Sequence, residues 1–186
     1  MSKSHLSEEE LLGACCSGDR SMQFEFYARF ARKVMAVCRR FTTTKMEAED
    51  QLQESFVLVF LNIKQYKGGS LEGWVRRIVV NQCINHFRKQ KQKLIWVEEI
   101  SEELDSITYA GDNSWVNQVD GEQLMLWIDT LPLGAKAVFT LGAIEGYNHN
   151  EISKMLGIAE STSRSQLTRA RLALQKKYIE TINASC

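Results

Sequence analysis

GYNHNEISKMLGIAESTSRSQLTRARLALQKK, residues 146–177, carries two short helical patterns around one glycine. Asn150 is placed to cap a first helix over 151–156, and Gly157 offers a left-handed turn residue. Ile158 fills the angle between the helices, and Ser161 or Thr162 opens the second. Two helices joined this way form a unit shaped to enter a DNA groove.

At 100° per residue, Ser163, Leu167, Ala170 and Leu174 fall on one narrow stripe, suited to packing on the first helix. Arg164, Ser165, Thr168 and Arg169 fall on another arc. That arc has the chemistry of major-groove reading: arginine forks match guanine acceptors, and hydroxyls suit base edges or phosphates. Arg171, Lys176 and Lys177 continue as phosphate contacts. An ordinary amphipathic helix with solvated cations would share this composition, but not the glycine turn and the helix before it.

The chain has 186 residues, of which 44% are hydrophobic, so it can bury one core or two small ones. A single proline among many helix formers points to an all-α fold. The formal net charge is zero, yet charge comes in blocks. Residues 76–93 hold Arg76, Arg77, Arg88, Lys89, Lys91 and Lys93 with no acid, whereas 94–129 hold nine acids with no lysine or arginine. The neutral average hides a basic, acidic, basic order. Cys15, Cys16, Cys38, Cys83 and Cys186 form no CxxC pair and have no histidine at ligand spacing. Neither a zinc site nor a disulfide framework follows, and no metal or cofactor is expected. The neighbours Cys15 and Cys16 read either as a redox sensor or as two small residues on a partly buried helix. His5, His86 and His149 are scattered and read as surface positions. No apolar run reaches the ~20 residues of a membrane span and the start lacks a signal-peptide core, so a cytoplasmic protein without membrane insertion is expected.

Outward from the quoted stretch, 6–18 reads as a short helix with Ser7 as cap and Glu10 completing a capping box. Over 21–41, Phe24, Tyr27, Phe30, Val34, Val37 and Phe41 recur at helical spacing. A third helix over 47–63 turns Leu52, Phe56, Val59, Phe60 and Ile63 inward and Glu47, Asp50, Gln51, Gln53 and Glu54 outward. The glycine-rich 65–73 is a projecting loop. A helix from Trp74 to about Lys91 follows, with Val75, Ile78, Val79, Val80, Cys83 and Phe87 on its apolar arc. Trp74, Arg77, Asn81, Asn85 and Arg88 share the opposite arc. A ring, two amides and cations on one face suggest a platform for unpaired nucleic acid, with stacking, edge-reading and phosphate contacts. Trp74 also reads as a core residue closing the bundle's end. The acidic 94–119, with Trp96, Tyr109 and Trp115, reads as a linker; a helix over 121–129 and another over 133–145, with Pro132 in its first turn, precede the helix-turn-helix. The expectation is two small helical domains, an N-terminal bundle over 1–93 and a C-terminal unit over 120–186.

With these elements in place, EAEDQLQESFVLVFLNIKQY (47–66) and GWVRRIVVNQCINHFRKQKQ (73–92) resemble the second conserved region of bacterial extracytoplasmic-function, group 4, sigma factors. LPLGAKAVFTLGAIEGYNHNEISKMLGIAESTSRSQLTRARLAL (131–174) is similar to their fourth region. The two occur in the family's order and cover most of the chain. The resemblance implies a non-catalytic initiation subunit that binds core RNA polymerase and promoter DNA, and it admits an anti-sigma factor as a further partner. Residue by residue, it places Asp50, Gln53 and Glu54 in the polymerase-docking helix. It places Asn81 and Asn85 where the family reads a −10 base, Trp74 at the aromatic opening that helix, and 65–73 at the loop that captures a flipped base. Arg164, Ser165, Thr168 and Arg169 fall on −35-reading positions. Gln166 stands where many relatives have a cation and Thr168 where some have an aromatic, so no particular −35 sequence is implied. Gly68 and Gly69 leave the capturing loop short of side chains.

Other readings are a regulator whose N-terminal domain senses a ligand or dimerises, and a family member that binds polymerase without initiating. An N-terminal enzyme lacks any nucleophile with its base, metal cluster or phosphate-cradling motif. The acidic linker reads either as a plain tether or as a segment that covers the basic surfaces of the free chain.

Overall fold

A computed structural model describes residues 7–93 and 119–184. The expected linker and its three aromatics, together with His5 and Cys186, lie outside the described residues, apart from Val119. All regular elements among the described residues are helical. The chain divides into two compact units, 1–86 and 87–186.

In the first unit, α1 (Glu8–Cys16) begins at the capping box that Ser7-x-x-Glu10 encodes: Glu10 N–H donates to Ser7 Oγ and Ser7 N–H to the Glu10 carboxylate. Helix α2 (Arg20–Arg39) starts at Asp19, whose carboxylate accepts from Ser21 and Met22 N–H. Its inward stripe is Phe26, Phe30, Val34, Val37 and Cys38. Phe24 was expected there but is 71% exposed. It lies about 160° round the helix from Phe26 at helical spacing, and Phe26 takes the core position. Helix α3 (Lys45–Asn62) opens on a second capping box, Thr44 with Glu47. Its Leu52, Phe56 and Val59 meet α2, where the rings of Phe26 and Phe30 lie 4.7 Å apart and those of Tyr27 and Phe56 4.6 Å apart. Gln51, on the polar face by its spacing, is 2% exposed because the helix carrying Gln82 and His86 covers it.

A 3-10 turn (Ile63–Gln65) leads to a loop shorter than expected, because α4 (Leu71–Lys93) begins three residues before Trp74. Ser70 Oγ accepts from Gly73 N–H and Leu71 is buried, which fixes the earlier start. Val75, Val79, Val80, Cys83 and Ile84 bury the inner side of α4. Cys83 meets Cys38 of α2 with its sulfur 3.9 Å away.

The second unit contains α5 (Gly121–Asp129), capped by Asp120, and α6 (Leu133–Phe139), which continues as a π-helical turn, Thr140–Ile144. The single helix expected over 133–145 is therefore two kinds of helix in series. Pro132 stands one residue before α6, at its cap. Helix α7 (His149–Leu156) and helix α8 (Glu160–Ala184) follow. The cap of α7 is Asn148 rather than Asn150: its Oδ1 accepts from Glu151 N–H at 2.9 Å while the Glu151 carboxylate accepts from Asn148 N–H at 2.8 Å. Gly157 closes α7 in the left-handed region, φ 64° and ψ 45°, as its type requires. Helix α8 opens at Glu160, before Ser161 and Thr162. Helices α5, α6 and α7 all pack on α8, around Ile128, Val138, Leu141, Ile152, Leu156, Leu167, Ala170 and Leu174.

One charged pair enters this core. Lys136 is 3% exposed and its ammonium donates to Asp129 Oδ1 at 2.9 Å.

Candidate nucleic-acid interface

Helix α8 presents its two arcs as the spacing requires. Ser163, Leu167, Ala170 and Leu174 are buried, while Arg164 is exposed and Ser165, Thr168, Arg169 and Arg171 are half-buried. Ser163 is held from the neighbouring helix, with its hydroxyl 2.9 Å from His149 Nδ1. That contact ties the start of α7 to the first turn of α8. His149 is thus half-buried and bonded, not the surface position expected. Burial first, then the Arg164 cation, lowers its pKa; the Glu160 carboxylate opposes them, and Arg171 adds the least.

Arg164 pairs with Glu160 one turn earlier, an exposed contact that a stronger acceptor can displace. The hydroxyls are engaged within the helix. Ser165 Oγ donates to Thr162 O and Thr168 Oγ1 to Arg164 O, both at 3.1 Å. With their protons committed to the helix, both oxygens keep only acceptor capacity. The base groups they suit are exocyclic amines, adenine N6 and cytosine N4.

On α4, Arg77, Asn81, Asn85 and Arg88 are exposed and Trp74 is half-buried. Trp74, Arg77, Asn81 and Asn85 span about 80° of the helix surface. Trp74 neither closes the core nor stands free. Its ring meets that of Tyr66 edge-on, 5.6 Å between centroids, and Tyr66 Oη donates to Gly69 O at 2.6 Å. The loop carrying Gly68 and Gly69, at φ 100° and 95°, is thereby fastened to the first turn of α4. Sequence spacing did not single out Tyr66, although an aromatic beside a glycine pair was the available signal.

On α3, Asp50, Gln53 and Glu54 are exposed, as expected. The same arc carries apolar residues that the reading of its polar face missed: Met46 at 72%, Val57 at 58% and Leu61 at 72% exposure. Their spacing from Asp50 put them on that arc all along. The face is therefore mixed, carboxylates among apolar side chains, which is the composition of a protein-binding surface.

Among the described residues there is no group of three or more His, Cys, Asp or Glu able to hold a metal ion, and no helix is long and apolar enough to cross a membrane. Burial first, then Cys16 and Asp19, pushes the Cys15 thiol up to about 11. It stays protonated at neutral pH and is a poor nucleophile, which favours the packing reading of that pair.

The pattern of sigma-70 region 2 matches residues 26–93 and that of sigma-70 region 4 matches residues 121–174. The chain is 30% identical over 154 residues to the ECF RNA polymerase sigma factor SigE of Mycolicibacterium smegmatis. That alignment takes in 81% of this chain but 59% of the relative, so the chain spans less than two thirds of that protein's length. It is 28% identical over 171 residues to the SigM factor of Mycobacterium tuberculosis, covering 91% of this chain and 84% of the relative. With the SigM factor of Bacillus subtilis it shares 27% over 160 residues, 86% and 96% of the two chains.

Proposed function

We propose a division of work for this chain, which belongs to the sigma-70 family and is an alternative sigma factor of the extracytoplasmic-function kind, acting in transcription initiation. It is a non-catalytic, cytoplasmic subunit of the group 4 type that binds core RNA polymerase and promoter DNA. The mixed face of α3 docks on polymerase: Asp50, Gln53 and Glu54 offer acceptors to a cationic partner, and Met46, Val57 and Leu61 supply apolar area. Helix α8 binds the −35 duplex through Arg164, Ser165, Thr168, Arg169 and Arg171. The face of α4 holds −10 bases, with Trp74 for stacking, Asn81 and Asn85 for base edges, and Arg77 and Arg88 for phosphates. An anti-sigma factor would act by covering one of these faces.

The observation that carries this reading is the α4 face itself, where two exposed amides, cations and a half-buried ring share one side of a helix whose other side is core. Such a face is made for single strands. Extruding a base costs a few kcal/mol, and stacking on an aromatic returns about 1 to 3 kcal/mol per base. Each captured base therefore offsets its own extrusion, and polymerase contacts supply the remainder.

Run-off transcription with purified core enzyme is the test. The chain should confer initiation at promoters bearing its two boxes with no other sigma factor present. A conventional regulator would give none.

A further inference from the structure

Helix α4 has a second polar side, turned toward α3. Gln82 Nε2 donates to Glu54 Oε2 at 2.6 Å and to Gln51 Oε1 at 3.4 Å. The amide of buried Gln51 reaches the same carboxylate oxygen at 3.4 Å and His86 Nδ1 at 3.1 Å, which makes Nδ1 an acceptor. Two amides thus converge on Glu54 Oε2, while Oε1 accepts no hydrogen bond from the described residues. Glu54 is exposed and Gln82 half-buried, so the carboxylate is pinned from behind and open in front.

We propose that Gln82 is a positioning residue for polymerase docking: from the helix assigned to DNA, it fixes the Glu54 carboxylate so that Oε1 is presented to a cation on the polymerase surface. The inference rests on the docking role given to Glu54 above. An unrestrained glutamate would have to give up rotamer freedom on binding, and Gln82 removes that cost in advance. Gln51 supports the arrangement by accepting from Gln82 and anchoring to His86. Docking and strand handling are then joined through the hydrogen bonds that Gln82 and His86 of α4 make to Glu54 and Gln51 of α3.

The experiment is a cycle of four full-length proteins, wild type, Gln82→Leu, Glu54→Ala and the double variant, each titrated against core polymerase for Kd and melted thermally. Losing one hydrogen bond to an exposed carboxylate should weaken polymerase binding about fivefold for Gln82→Leu and leave the Glu54→Ala background unchanged within about twofold. Gln82→Met, unbranched and of similar length, should match Gln82→Leu. If Gln82→Leu weakens binding equally in both backgrounds, its role is structural and the proposal fails. If it leaves wild-type binding unchanged, the proposal also fails. If Glu54→Ala itself binds polymerase like wild type, the docking assignment falls and takes this inference with it.

Discussion

Protonating His149 costs the folded chain more than the unfolded one. Burial and the Arg164 cation outweigh the Glu160 carboxylate and disfavour the imidazolium in the native state, so its folded pKa is below the ordinary value of about 6.5. Between those two values the unfolded chain binds more protons, and stability falls as pH falls. The contribution is complete above about pH 6.5 and is lost as pH drops through the lowered folded value. Thermal melts of wild type and His149→Gln across this range should differ: wild type loses stability on acidification more steeply, and the variant lacks that component. Parallel curves would exclude His149 as the source. The Lys136–Asp129 pair offers a second test, because its partners are buried unequally, with side-chain exposures of 4% and 29%. Lys136→Met removes the cation from a carboxylate that water still reaches. Asp129→Asn removes the countercharge from an ammonium that water does not reach. Asp129→Asn should therefore cost more, up to about 3 kcal/mol, in chemical denaturation. The reverse order would mean that Asp129 carries the larger desolvation penalty.

At the scale of elements, what was legible in the sequence was what short-range chemistry decides. Ser7-x-x-Glu10 gave the start of α1, Gly157 gave the end of α7, and helical spacing gave the two arcs of α8. Elsewhere local signals compete, or another helix decides the outcome. Both Asn148 and Asn150 can cap a helix, but Asn148 alone has a glutamate three residues on, and that reciprocal bond selects it. Phe24 and Phe26 are both aromatic, and packing against Phe30 and Phe60 selects Phe26. Gln51 reads as solvated until α4 arrives with Gln82 and His86. The candidate faces on α4 and α8 are legible because they rest on helical periodicity alone, whereas the apolar part of the α3 face lies between charges and carries no polar signal of its own. The cap makes a quantitative case: Asn148→Ala should destabilise the second unit by about 1 kcal/mol and lower its melting temperature by several degrees. Asn150→Ala should do neither. Equal effects of the two changes in thermal melts would refute the cap assignment.

Across the whole molecule, the zero formal charge averages over basic and acidic blocks, so electrostatics act by region rather than by total. The two faces proposed to bind DNA, on α4 and on α8, would serve different forms of DNA and should therefore fail in different ways. Asn81→Ala should abolish strand opening, followed by permanganate reactivity at the −10 box, while binding of a −35 duplex in gel shifts stays nearly intact. Arg164→Ala with Arg169→Ala should instead weaken duplex binding by tenfold or more, since each base or phosphate contact of this kind contributes about 1 to 3 kcal/mol. A template whose −10 box is already a mismatched bubble separates the two defects further. There the unstacking cost has been met beforehand, so Asn81→Ala should recover initiation to within about threefold of wild type, losing only its share of base contacts. The double arginine variant should gain nothing from the bubble, because its missing contacts lie on the duplex. If both variants are rescued alike, or neither is, then opening and anchoring are not divided between α4 and α8, and the two faces act as one binding surface.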